Sequence, residues 1–67
     1  MALPIPDADE IGRFQDDEGE TFVVTREDHE TLKVSVYGSS GVYLNDVLVF
    51  ARDAHKLAAL LIEGTTT

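Results

Sequence analysis

Residues 31–37 read TLKVSVY, the clearest strand pattern in the chain. Leu32, Val34 and Val36 occupy alternate positions, and the residues between them are polar or aromatic. A period of two places successive side chains on opposite faces of a strand. The segment therefore predicts one strand of a sheet that is apolar on one face.

The sequence on the N-terminal side continues the strand pattern. Residues 21–26 place Phe22 and Val24 on one face, and the charged residues 27–30 form a turn before the next strand. Further upstream, Arg13–Gln15 is a short strand, and residues 16–19 (DDEG) are a turn in which Gly19 takes a positive φ. The order predicted here is that of antiparallel hairpins.

On the C-terminal side, residues 38–41 (GSSG) form a loop, and residues 41–50 are apolar except for Asn45 and Asp46. In one regular strand, Asp46 would share a face with Leu44 and Leu48, and burying an unpaired carboxylate is costly. Either Asn45 and Asp46 form a two-residue turn between two short strands, or a bulge shifts the register. We favour the turn, since both residues tolerate the left-handed backbone that it requires.

The segment Arg52–Glu63 predicts a helix that ends at Gly64. Ala54, Leu57, Ala58 and Leu61 follow the spacing of a core-facing stripe, and Leu60 and Ile62 flank it on either side. The apolar arc spans about 200°, at about 100° per residue. One small sheet covers roughly half of a helix, so part of this arc should contact another molecule, unless the N-terminal arm folds over it.

The predicted fold is α+β: a small antiparallel meander of three to five strands with one C-terminal helix packed on the sheet. Residues 1–11, with both prolines, are predicted to be a flexible acidic arm, residues 12–64 a single domain, and residues 65–67 a frayed tail. A chain of 67 residues is near the size at which a core needs a disulfide, a metal or a partner chain. It contains no cysteine, and we therefore expect a homodimer. The predicted interface consists of apolar and aromatic side chains of the last strand and the helix: Tyr43, Leu48, Leu57, Leu60, Leu61 and Ile62.

Residues 1–30 carry the whole net charge of −8. The predicted acidic surface is formed by the carboxylates of the two early turns and their flanks: Asp16, Asp17, Glu18, Glu20, Glu27, Asp28 and Glu30. Such a surface repels nucleic-acid phosphates and anionic lipids, so we expect no direct nucleic-acid binding and no membrane association. The absence of a signal peptide favours a cytoplasmic location.

Neither catalysis nor a cofactor is expected. His29 lies in a charged turn and His55 on the polar edge of the helix, where solvated histidines are the ordinary case. The acidic run 16–20 lacks the spacing of a calcium loop, and we expect no metal site.

The segment 41–61, GVYLNDVLVFARDAHKLAALL, resembles small proteins of actinobacteria and their phages that end in an apolar strand and a D-A-x-x-L-A-x-x-L helix. These usually place Ser or Thr where Ala51 stands. The layout of strands followed by one helix is also similar to single-stranded-DNA-binding transcriptional coactivators that dimerise through their helices. The second resemblance implies a dimer, but the basic strand residues that would bind DNA are missing.

Together these features predict a non-enzymatic protein-interaction module, and the first resemblance implies an origin in an actinobacterium or a phage. The expected location is the cytoplasm, which is the host cytoplasm if a phage encodes the protein. Its expected partners are a second copy and a host or viral protein. Two alternatives are an inhibitor that mimics nucleic acid and occupies a DNA-binding protein, and a minor phage structural or assembly component.

Overall fold

A computed structural model describes residues 9–66. Four strands form one antiparallel sheet in the order β1-β2-β3-β4, and a short 3-10 turn leads into one helix. The elements are β1 (Glu10–Gln15), β2 (Thr21–Arg26), β3 (Thr31–Tyr37), β4 (Tyr43–Phe50), the 3-10 turn (Ala51–Asp53) and α1 (Ala54–Thr65). The predicted α+β meander with one C-terminal helix is confirmed.

The turns that join β1 to β2, β2 to β3 and β3 to β4 form where the sequence predicts them. In the β1–β2 turn, one carboxylate oxygen of Asp16 accepts hydrogen bonds from the backbone N–H groups of Glu18 (2.9 Å) and Glu20 (3.0 Å). Gly19 has φ 88°, and Gly41 in the β3–β4 loop has φ 87°. Glycine populates this left-handed region without the steric cost that a Cβ brings.

β1 is longer than predicted, because it begins at Glu10 instead of Arg13. Glu10 and Ile11 therefore belong to the sheet, while residues 1–8 of the predicted arm lie outside the described residues. The backbone N–H of Arg26 also donates to the carbonyl oxygen of Asp9 (2.9 Å), which ties the start of β1 to β2.

β4 is continuous, so the predicted turn at Asn45 and Asp46 is wrong. Asp46 pairs with Ser35 of β3, and its side chain is exposed. The carboxylate is therefore never placed in a core, which removes the physical objection to a single strand.

The register of β4 does shift, but one residue earlier than the sequence suggests. Tyr37 pairs with Tyr43 and Val36 pairs with Asn45, so Leu44 is an extra residue on β4. This bulge exchanges the two faces of the strand beyond it. As a result Val47 and Val49, rather than Leu48 and Phe50, align with the apolar residues of β3.

The helix continues past Gly64, where the sequence predicts its end. The hydroxyl groups of Thr65 and Thr66 donate to the carbonyl oxygens of Ile62 (2.6 Å) and Glu63 (2.9 Å). These bonds satisfy carbonyl groups that a helix end leaves without partners.

The helix does not pack on its own sheet, which differs from the predicted arrangement. No residue of α1 is buried, and its main tertiary contacts are with the 3-10 turn that precedes it. That turn is fixed at the end of the sheet: the backbone N–H of Ala51 donates to the carbonyl oxygen of Glu30 (2.7 Å), and the guanidinium of Arg52 lies 4.8 Å from the ring centre of Phe50. The molecule is correspondingly thin, with extents of 34 × 33 × 16 Å. Within residues 9–66, no helix has the length and hydropathy of a membrane span.

Candidate interaction surface

One face of the sheet is almost wholly apolar. The pairing of the strands places the following side chains on this apolar face: Phe14, Phe22, Val24, Leu32, Val34, Val36, Val47 and Val49. The rings of Phe14 and Phe22 stack with their centres 5.0 Å apart. None of these eight side chains is buried, and Phe14 and Val47 are 62% and 54% exposed.

The opposite face carries polar and apolar side chains together, and we call it the mixed face. Its principal members are Glu10, Arg13, Thr21, Val23, Thr25, Lys33, Ser35, Tyr37, Tyr43, Asp46, Leu48 and Phe50. The three buried side chains among the described residues, Thr21, Val23 and Ser35, all lie here. The chain therefore covers the part of the mixed face on β2 and the middle of β3 with its own side chains, whereas Tyr43, Leu48 and Phe50 on β4 stay exposed.

Ion pairs contribute to that cover. Arg13 lies directly opposite Val23 in the sheet and binds the carboxylate of Glu10, with a distance of 3.0 Å from Nε to Oε2. This hydrogen-bonded pair lowers the pKa of Glu10 and raises that of Arg13. The amino group of Lys33 lies 2.8 Å from a carboxylate oxygen of Glu27, which raises the pKa of Lys33.

Two tyrosines lie on the mixed face at the bulge. The rings of Tyr37 and Tyr43 meet edge to face with their centres 5.8 Å apart. Hydrogen bonding to the carboxylate of Asp46 raises the pKa of Tyr43. Asp46 thus has a partner on the surface, which explains how this carboxylate is tolerated within an apolar strand.

The helix presents a second uncovered apolar surface. Its exposed side chains are Leu57 (41%), Leu60 (66%), Leu61 (65%) and Ile62 (65%), which we call the helix patch. All four belong to the interface predicted from the sequence. An isolated helix of about 12 to 15 residues is marginal in water, and the Asp53 side chain makes no capping hydrogen bond at the start of this one.

The remaining two predicted interface residues are exposed but lie elsewhere. Tyr43 (51%) and Leu48 (63%) are on the mixed face, separated by the sheet from the apolar face. The structure therefore divides the predicted set between two surfaces. Sequence reasoning missed Val47 and Phe14, because the bulge hides the alignment of Val47 and because Phe14 lies in a short, charged strand.

The predicted acidic residues occupy the two ends of the sheet. Asp16, Asp17, Glu18 and Glu20 surround the β1–β2 turn, and Glu27, Asp28 and Glu30 surround the β2–β3 turn. The six residues of β2 separate these groups by about 20 Å. None of the carboxylates that the structure describes lies on the apolar face.

In each of the two turns, one aspartate accepts backbone hydrogen bonds. Asp16, Glu18 and Glu20 bring carboxylate oxygens within 4.8 Å of one another, yet an oxygen of Asp16 already accepts two backbone hydrogen bonds. Asp28 accepts a hydrogen bond from the backbone N–H of Glu30 (2.8 Å), which lowers the pKa of Asp28.

An open depression of about 260 Å³ lies where the β2–β3 turn meets the start of the 3-10 turn. Its walls are His29, Glu30, Phe50, Ala51 and Arg52. His29 is almost fully exposed and lies 3.7 Å from the carboxylate of Glu30, with no nucleophile among the lining residues. The depression brings together one imidazole and one guanidinium but builds no recognisable catalytic set.

The chain matches no protein-family model, and neither a curated protein nor a solved structure shows significant similarity to it.

Proposed function

We propose that this chain is a non-enzymatic protein-interaction module that works as a homodimer, with its apolar face covered by the second copy. The observation that carries the proposal is the contrast between the two faces of one sheet. On the mixed face Val23 is buried opposite the paired side chains of Arg13 and Glu10, whereas none of the eight side chains of the apolar face is buried. Apolar patches of this extent on a small protein mark an interaction surface.

The chain exposes more area than a compact monomer of its mass. The chain exposes 5159 Å², whereas a compact monomer of this mass exposes roughly 4,200 Å².

The charge distribution favours a second copy despite the net charge of −8. The carboxylates of the sheet and its turns lie at the two ends of the sheet and on the mixed face, so a second copy can cover the apolar face without desolvating these acids. Arg26 is the charged residue whose register position falls on the apolar side, and it lies at the end of β2.

Dimerisation through the apolar face leaves the mixed face outward. The Tyr37–Tyr43 pair and the exposed Leu48 and Phe50 then form an aromatic and aliphatic surface beside Lys33. Aromatic side chains are enriched at protein interfaces. This outward surface is the one we assign to a different protein partner.

Two neighbouring residues of β4 provide a matched test. Val47 and Leu48 are similarly exposed, at 54% and 63%, but lie on opposite faces. In Val47→Asp a dimer would bury a carboxylate in both copies, and we expect the dissociation constant to rise by about 100-fold or more. Leu48→Asp should leave the dimer intact.

Sedimentation equilibrium at micromolar concentration measures the association, and far-UV circular dichroism checks folding. Equal masses for a folded Val47→Asp variant and the unmodified chain would contradict the proposal. Loss of the dimer in Leu48→Asp alone would instead support the interface position predicted for Leu48 from the sequence.

A further inference from the structure

We infer that the dimer is reciprocal, with the helix α1 of each copy lying on the apolar face of the other. This inference rests on the proposed dimer and specifies its geometry. In one chain the structure leaves both the apolar face and the helix patch uncovered. One symmetric contact between two copies covers both surfaces twice.

The dimensions of the two surfaces agree. The 12 residues of α1 give a helix of about 18 Å. Four strands give a sheet about 14 Å across, with strands of six to eight residues that measure about 20 to 26 Å. One helix therefore spans most of one apolar face.

The path of the chain after β4 favours a helix that packs on the partner's sheet over a helix that folds back onto its own sheet. The hydrogen bond from Ala51 to the carbonyl oxygen of Glu30 and the contact of Arg52 with Phe50 hold the 3-10 turn at the end of the sheet. The helix then continues directly from this turn, with no loop that would reverse it over its own strands. With the helix held in this direction, the apolar face of a partner's sheet is the surface on which it can pack.

Face-to-face packing of the two sheets would bury less of the helix patch. It would cover the apolar faces but leave Leu60, Leu61 and Ile62 in water unless the helices also paired. These side chains lie on a helix of marginal length with no side-chain cap at its start. Exchange gives the apolar face and most of the helix patch an apolar partner at once.

Cysteine crosslinking tests this geometry cleanly because the chain contains no native cysteine. Leu61→Cys is mixed with an equal amount of Val47→Cys, and in a matched sample with Leu48→Cys. A short bis-maleimide joins neighbouring thiols, and mass spectrometry identifies which two variants are joined. We expect at least a tenfold greater yield of the mixed product for the 47/61 pair than for the 48/61 pair.

The outcomes separate the two proposals. A dimer in sedimentation that gives only 47/47 and 61/61 products overturns the exchange and leaves the homodimer standing. A double variant, Val47→Cys with Leu61→Cys, is crosslinked at high dilution as a further arm. Efficient closure within one chain, together with a monomeric mass, would overturn both proposals.

Discussion

At the residue scale, the ion pair of Arg13 and Glu10 shows how side chains of one chain cover an apolar residue on the mixed face. Arg13 lies opposite Val23, and the side chains of Arg13 and Glu10 are only 23% and 11% exposed. Paired charges of this kind can lie over an apolar residue because each satisfies the other. The valines of the apolar face have no comparable neighbours.

The same pair gives a dependence on pH. The hydrogen bond with Arg13 lowers the pKa of Glu10 below its ordinary value. A carboxylate whose pKa is lower in the folded state stabilises the fold above its unfolded pKa, and this contribution is lost as the pH falls through the folded pKa. We therefore expect Arg13→Gln to raise the pKa of Glu10 and to weaken this part of the acid-induced loss of stability.

Carbon-detected NMR titration of the Glu10 carboxyl group measures the shift directly. Lys56→Gln is the control, since Lys56 pairs with Asp53 at 3.7 Å on the exposed helix and is remote in sequence from Glu10. An unchanged Glu10 titration curve in Arg13→Gln would show that the pair does not form in solution.

At the scale of elements, the alternation of β2 and β3 suffices to predict both strands and their faces. Phe22, Val24 and Val34 share the apolar face, as the period of two predicts. β4 could not be predicted in the same way because both of its faces carry apolar side chains. Which β4 side chains lie on which face therefore depends on the bulge at Leu44. That bulge is a property of the pairing with β3 rather than of the local sequence.

The helix shows a second limit of local reasoning. The 3.6-residue period identifies the apolar side of Ala54–Thr65 but does not tell which surface covers it. The structure shows that its own sheet does not. The end of the helix was also missed, because threonine hydroxyl groups rather than Gly64 satisfy the last carbonyl groups.

Gly64 provides a test of helix stability. It lies within α1, its φ is not positive, and a Cβ there would meet no atom within 4 Å. Alanine is favoured over glycine inside a helix by about 1 kcal/mol. Gly64→Ala should therefore stabilise the protein by up to this amount in urea unfolding at fixed protein concentration.

Gly41→Ala is the matched control, because Gly41 has φ 87° in the β3–β4 loop. An alanine in that conformation costs roughly 1 to 2 kcal/mol, so the same substitution should destabilise the protein there. Destabilisation by Gly64→Ala would show that the helix does not extend through residue 64 in solution.

At the scale of the whole molecule, the charge asymmetry and the apolar surfaces form one arrangement. Acidic turns lie at both ends of the sheet, the mixed face has a buried centre on β2 and β3, and the apolar face and the helix patch are left open. The acids keep the rim solvated, and two copies together bury what one chain cannot. The sequence predicted the excess of apolar surface on the helix, but not that one face of the sheet is also left without a buried side chain.

The most direct test of the central claim is an isotope-filtered NOE experiment on an equimolar mixture of carbon-13-labelled and unlabelled chains. The unmodified protein is used, and the filter detects only contacts between different copies. We expect intermolecular NOEs at the methyl groups of Val34 and Val47 on the apolar face and none at those of Leu48 on the mixed face. Absence of intermolecular NOEs at Val34 and Val47 in the folded protein at millimolar concentration would contradict the account.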